Sequence, residues 1–253
     1  MKKKILISLG SILVVAGLVV GGFGLKNYLE EKHAGQLYDN LKVEMDIEPI
    51  IKLPTAGAEQ IENPIDFESL TAQYPDIYAW IRIPGTKVDY PIVQREGDNG
   101  YYLNHTIDGK KKTEGSIYTE DYNSKDFGDA NTVIYGHNMK NGSMFKTLHK
   151  YKDKQFLLDN SEIYIYQKDR VLKYKIFAAY IYDNRHLMMS FDFEDENIFR
   201  NYLNNVLTKR DMSSNINTNV DVTASDKIIT LSTCNNNDAQ RYLVQAVLLS
   251  IQE

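Results

Sequence analysis

From about residue 76 onward, short apolar runs rich in Val, Ile and Tyr alternate with Gly, Pro, Asn and Asp punctuation. Residues 78–83, 88–93, 116–119, 132–135, 162–166 and 172–182 have this character and are predicted as strands. Pro84 and Gly85 mark a turn between the first two. The period changes over 194–207, where Ile198, Phe199, Tyr202, Leu203 and Val206 fall on one helical face. Two more strands, 227–233 and 242–251, finish the chain, and the Asn-rich piece 213–219 reads as a loop. Many short strands with helices inserted between them predict a mainly β fold, a closed or nearly closed barrel of seven or eight strands.

The pattern upstream is different. Leu29, Leu37, Leu41 and Val43 give 26–45 a helix-like spacing broken by Gly35, the mark of a stalk or helical appendage. Pro54, Gly57 and Pro64 punctuate the next stretch, and 66–74 fits a short helix on the domain's edge. Residues 5–25 carry no charged side chain, and at 1.5 Å per residue they would span about 31 Å, close to a hydrocarbon core. Lys2, Lys3 and Lys4 precede them, so a single-pass anchor with a cytoplasmic N-terminus and an external main domain is expected. The rival is a cleaved signal peptide, for which Val20-Gly-Gly-Phe-Gly24 offers small residues but no Ala-x-Ala site. The division expected is an anchor over 1–25, a helical stalk or linker over 26–65 and a main domain over 66–253.

Charge and cysteine content narrow the classes. Without the three leading lysines, 26 basic residues face 34 acidic ones, a formal charge of −8, which argues against nucleic acid as a partner. A single cysteine rules out an intramolecular disulfide, so the fold rests on its core. The histidines lack metal-ligand spacing, and the acidic run Asp192 to Glu196 reads as a helix start, so no metal or cofactor is expected.

That one cysteine, Cys234, ends an apolar run and is followed by Asn235-Asn-Asn-Asp238, a turn sequence, with Arg241 opening the next strand. A hairpin would set Cys234 and Arg241 across from each other, with Cβ atoms about 4.5–5.5 Å apart. The guanidinium would then stand where an oxyanion develops. His137 follows a strand through Gly136 and suits acid/base work at a strand's end. Thiol, imidazole and guanidinium together point to acyl transfer through a thioester. A lone cysteine is also a common core residue, so a membrane-tethered binding module with a buried thiol stays open, as does a simple cysteine peptidase.

Thr230-Leu-Ser-Thr-Cys234 with Arg241, and Val133-Ile-Tyr-Gly-His-Asn138 upstream, resemble the motifs of sortases, membrane-anchored cysteine transpeptidases of Gram-positive bacteria. The N-terminal appendage, Tyr101-Tyr-Leu-Asn104 and a helix before the cysteine strand are similar to class B, and the likeness runs from about residue 66 to the end. The resemblance implies a sortase barrel and cleavage of a surface protein's C-terminal sorting signal between Thr and a small residue. It further implies transfer of that protein to an amino group of a cell-wall precursor. It makes Cys234 the nucleophile, His137 the acid/base and Arg241 the oxyanion or orienting group. Asn104, Tyr135, Ser232 and Thr233 fall at groove positions. Asn235 stands where some class B members carry an acidic residue, so a supporting carboxylate is not carried over.

Overall fold

The computed structural model describes residues 22, 24–26, 28–47, 61–235, 237 and 239–253. The anchor expected over 5–25 lies almost wholly outside them, and among the described residues no helix is long and apolar enough to cross a membrane. In chain order the strands are β1 (Ile77–Arg82), β2 (Asp89–Val93), β3 (Ile117–Thr119), β4 (Asn131–Tyr135), β5 (Glu162–Gln167), β6 (Arg170–Asp183), β7 (Asn215–Ile216), β8 (Ile228–Cys234) and β9 (Gln240–Gln252). The helices are α1 (Gln36–Glu44), α2 (Phe67–Gln73), α3 (Lys154–Asp159), α4 (Leu187–Ser190) and α5 (Glu196–Leu207).

Eight of the strands close on themselves in the order β5-β1-β2-β3-β4-β8-β9-β6, with β6 returning to β5, as the sequence pattern anticipates. The pairs β2–β3 and β4–β8 are parallel and the rest antiparallel. The two-residue β7 adds to β6 from the Asn-rich stretch read as a loop. Nothing in that stretch alternates, so its pairing comes from the long partner strand.

Successive residues on β4 and β9 enter different cores. Ile134, Tyr242 and Val244 join the barrel interior around Trp80, whereas Val133 and Leu243 pack outside beneath α5 with Phe199, Leu203 and Val206. Burial on both faces explains the near-continuous apolar runs of the C-terminal strands. Asp195 caps α5 by accepting from the amides of Asn197 and Ile198. Gln245, fully buried, donates to the Tyr202 hydroxyl at 2.7 Å and to Thr230 Oγ1 at 2.8 Å, tying α5 to β8 and β9.

The segment read as a stalk takes part in the fold. Gly35 sits at φ 88°, a left-handed conformation that separates α1 from the helical turns before it. Tyr38 and Leu41 of α1 are buried in the interior cluster, and the Tyr38 hydroxyl donates to Ser116 Oγ at 3.0 Å. The same region holds the loop after β4: the amide of Lys140 donates to Glu31 Oε1 at 2.7 Å, and Asn141 Nδ2 to the Ala34 carbonyl at 2.8 Å. A 3-10 segment, Phe145–Lys152, follows that loop and buries Phe145, Leu148 and Tyr151.

Gly136, between β4 and His137, is required for space. A Cβ there would lie 2.6 Å from Ile117 Cδ1 and 2.6 Å from the Phe145 ring, both on fully buried residues. Gly136→Ala is expected to cost about 1–3 kcal/mol by overpacking, read as a lower urea midpoint at unchanged slope. Phe199→Ala, which empties the contact between α5 and the barrel, is expected to cost about 3–5 kcal/mol in the same measurement.

Candidate active site

Two strand pairings decide which side chains meet. The parallel register of β4 and β8 sets Tyr135 beside Ser232, and the Gly136 amide continues the ladder by donating to the Ser232 carbonyl at 3.1 Å. Just beyond that bond, His137 and Cys234 stand at the same end of the sheet. The antiparallel register of β8 and β9 pairs Cys234 directly with Arg241, and β6 brings Tyr182 alongside Arg241. Strand alternation then turns Thr230, Ser232 and Cys234 toward the barrel's outer face. One cleft on that face is lined by Cys234, His137 and Arg241 together with Leu103, Tyr135, Ser232 and Tyr182.

Cys234 is half-buried and its thiol is free. His137 is also half-buried, and its Nε2 lies 2.6 Å from the Leu103 carbonyl. A carbonyl oxygen only accepts, so Nε2 carries the proton and Nδ1 is left to exchange one. Arg241, half-buried, donates through Nη1 to the Gln240 carbonyl at 3.1 Å, which steadies the guanidinium at the cleft.

The far wall is polar and aromatic. Tyr118 and Tyr135 stack with centroids 5.3 Å apart. The Tyr135 hydroxyl donates to Glu120 Oε2 at 3.1 Å, and His186 Nε2 sits 2.7 Å from the same oxygen. Burial, reinforced by the Glu120 charge, pushes the Tyr135 hydroxyl's pKa far up, so it stays a donor.

Of the four groove positions expected, Tyr135 and Ser232 line the cleft. Thr233 borders it from the opposite side of β8, with 2% of its surface exposed and its hydroxyl unpartnered among the described residues. Asn104 is exposed at the end of the turn Tyr101–Leu103 and does not line the cleft, whereas its neighbour Leu103 does. Asn235 is engaged by neighbours, accepting from Lys152 Nζ at 3.0 Å and donating to Gln240 Oε1 at 3.1 Å. The Leu103 carbonyl, Glu120 and His186 were missed: a backbone acceptor has no residue-type signal, and the other two come from loops whose approach is set by the fold.

Comparison with known proteins agrees with this geometry. Residues 81–249 match the Sortase domain family model. Sortase B of Listeria monocytogenes is 32% identical over 99% of this chain and all of its own length, and sortase B of Staphylococcus aureus is 28% identical over 99% and 100%. The solved Staphylococcus aureus sortase B-substrate complex superposes with a TM-score of 0.70 at 27% identity, covering 88% of this chain and 99% of that one. From the closed barrel, the cleft at the end of β8 and these full-length likenesses, the chain belongs to the sortase family of cysteine transpeptidases, and within it to class B.

Proposed function

We propose that Cys234, His137 and Arg241 carry the transpeptidation, on a surface-protein substrate, at the outer face of a membrane that residues 5–25 cross. The observation that supports this assignment is the double register that brings all three to one cleft. The Cys234 thiolate attacks the carbonyl carbon of the Thr in a sorting signal, and the C=O electrons move onto oxygen. Arg241 faces that oxyanion with the planar, positively charged fork of its guanidinium. As the C–N bond breaks, imidazolium His137 gives the departing amine its proton, leaving a thioester and a neutral ring.

In the second half the acceptor amine attacks the thioester while His137 takes its proton, and the thiolate leaves as the new amide forms. A cell-wall precursor amine is the acceptor that fits this chemistry, and a solved sortase B is complexed with a triglycine peptide. The uncharged run over 5–25 behind Lys2, Lys3 and Lys4 supports a cytoplasmic N-terminus, with the catalytic domain outside.

The decisive measurement uses a fluorogenic peptide with an Asn-Pro start and a Thr before the scissile bond, with and without triglycine. Added triglycine is expected to convert hydrolysed product into the Thr-glycine ligation product; a product mixture indifferent to the amine would rule out transfer. Cys234→Ala and His137→Ala are each expected to lower kcat/KM by about 10³-fold or more, as loss of a nucleophile or its base does. Arg241→Lys is expected to lose about 10²-fold in kcat, because a point charge does not reproduce the guanidinium fork.

A further inference from the structure

The ladder between β4 and β8 ends one bond early. Gly136 N donates to the Ser232 carbonyl, and the next bond of a parallel ladder would run from the Asn138 amide to the Cys234 carbonyl. In its place the Asn138 side chain donates, with Nδ2 2.9 Å from the Cys234 oxygen. A second side chain reaches the same oxygen: His149 Nε2, at 3.1 Å. On the hairpin side, Asn235 N faces the Gln240 carbonyl at 3.4 Å, which leaves the Cys234 carbonyl turned away from β9 and toward these two donors.

Both donors belong to the stretch of chain that also carries His137. The Phe145 amide donates to the His137 carbonyl at 2.9 Å, Asn138 bridges to Met144, and the 3-10 segment beyond them brings in His149. The geometry points to Asn138 and His149 as positioning residues, which grip the nucleophile's own carbonyl and so fix Cys234 Sγ against the His137 ring. This rests on the catalytic reading above and adds the groups that hold its geometry.

Packing alone does not account for His149. Its ring stacks on Tyr242 with centroids 5.0 Å apart, a contact any aromatic ring would make. Its Nδ1 is buried with no hydrogen-bond partner among the described residues, a cost that a phenyl ring would avoid. What the imidazole adds is the Nε2–H bond to Cys234. Burial, with a smaller contribution from Lys152, lowers its pKa to about 4, so at neutral pH it donates without adding a charge beside the thiolate.

The test uses the full chain in detergent, carrying His149→Phe, His149→Gln or Asn138→Ala, with the peptide assay above. Positioning predicts that His149→Phe and Asn138→Ala each lower kcat about tenfold, the scale of a small misplacement at a reacting centre. KM should stay within about twofold, and His149→Gln, which retains a donor near the Nε2 position, should restore most of the rate. Because Cys234 is the sole thiol in the sequence, its alkylation by iodoacetamide gives a second readout independent of turnover, and the same order of variants is expected there. Should His149→Phe fail to fold, Asn138→Ala on the partly exposed loop carries the test alone. Wild-type kcat and alkylation rate in Asn138→Ala, or equal losses in His149→Gln and His149→Phe, would overturn the proposal. A wild type that alkylates at Cys234 but forms no acyl-enzyme would instead sink the catalytic reading, and the clamp would then be judged on alkylation alone.

Discussion

The parallel pairing of β4 with β8 is the constraint on which the site depends. His137 and Cys234 are 97 positions apart in sequence, and neither strand has any local reason to present them together. A register slip of one residue would turn Cys234 into the barrel interior and carry the thiol away from the ring. What prevents the slip is burial on both faces of these strands: Val133 and Ile134 of β4 fill different cores, as do Ile228 and Ile229 of β8, so no shifted pairing satisfies both. The buried group of Asn131, Thr230 and Gln245 adds a polar lock, since Thr230 Oγ1 donates to Asn131 Oδ1 at 2.8 Å while accepting from Gln245.

Helices and loops then complete the cleft from outside the barrel. Under α5 the second core covers the strands that form the groove floor, and the polypeptide between β6 and α5 brings His186 onto Glu120 across the groove. On the other side Glu31 and Ala34, just before α1, fasten the loop after β4, and α1 itself is fastened to the segment holding Leu103: Tyr38 reaches Gly115 and Ser116, and Ser116 Oγ donates to the His105 carbonyl at 2.9 Å. The N-terminal region therefore supports the carbonyl that orients His137 as well as the loop that carries it. The geometry of the candidate site is a property of the entire described domain and not of the three proposed residues alone.

Much of this was legible in the sequence, for a definite reason. Strand positions followed from short apolar runs bounded by turn residues, and the hairpin that opposes Cys234 to Arg241 followed from four consecutive turn-forming residues. The face of α5 followed from Phe199, Tyr202, Leu203 and Val206, all four of which are buried, whereas Ile198, placed on the same face by the spacing, is 38% exposed. The 3-10 segment Phe145–Lys152 was not found, because Phe145, Leu148 and Tyr151 repeat at a spacing of three, neither strand-like nor α-helical. The short helix Lys154–Asp159 is held by its Asp153 cap over too few residues to show a period. The groove positions, taken from the family resemblance, divided by their place in the fold: Tyr135 and Ser232 face the cleft, Thr233 falls on the alternate side of β8, and Asn104 sits on a turn whose direction only the fold decides.

The orientation of His137 bears on how one imidazole would serve both halves of the transpeptidation in the role proposed for it. Its Nε2–H bond to the Leu103 carbonyl uses a donor that is present whether or not Nδ1 is protonated. In the proposed role, giving up a proton to the leaving amine would remove none of the ring's anchoring, and the ring taking the next proton would not have to turn. Had Nε2 faced a carboxylate, the charge state and the hydrogen bond would be coupled, and the acid and base forms would differ in energy by the strength of that pair. A backbone carbonyl fixes the ring and leaves the proton free to move. That is what a reaction needs when the same group must first protonate a departing amine and then deprotonate an arriving one.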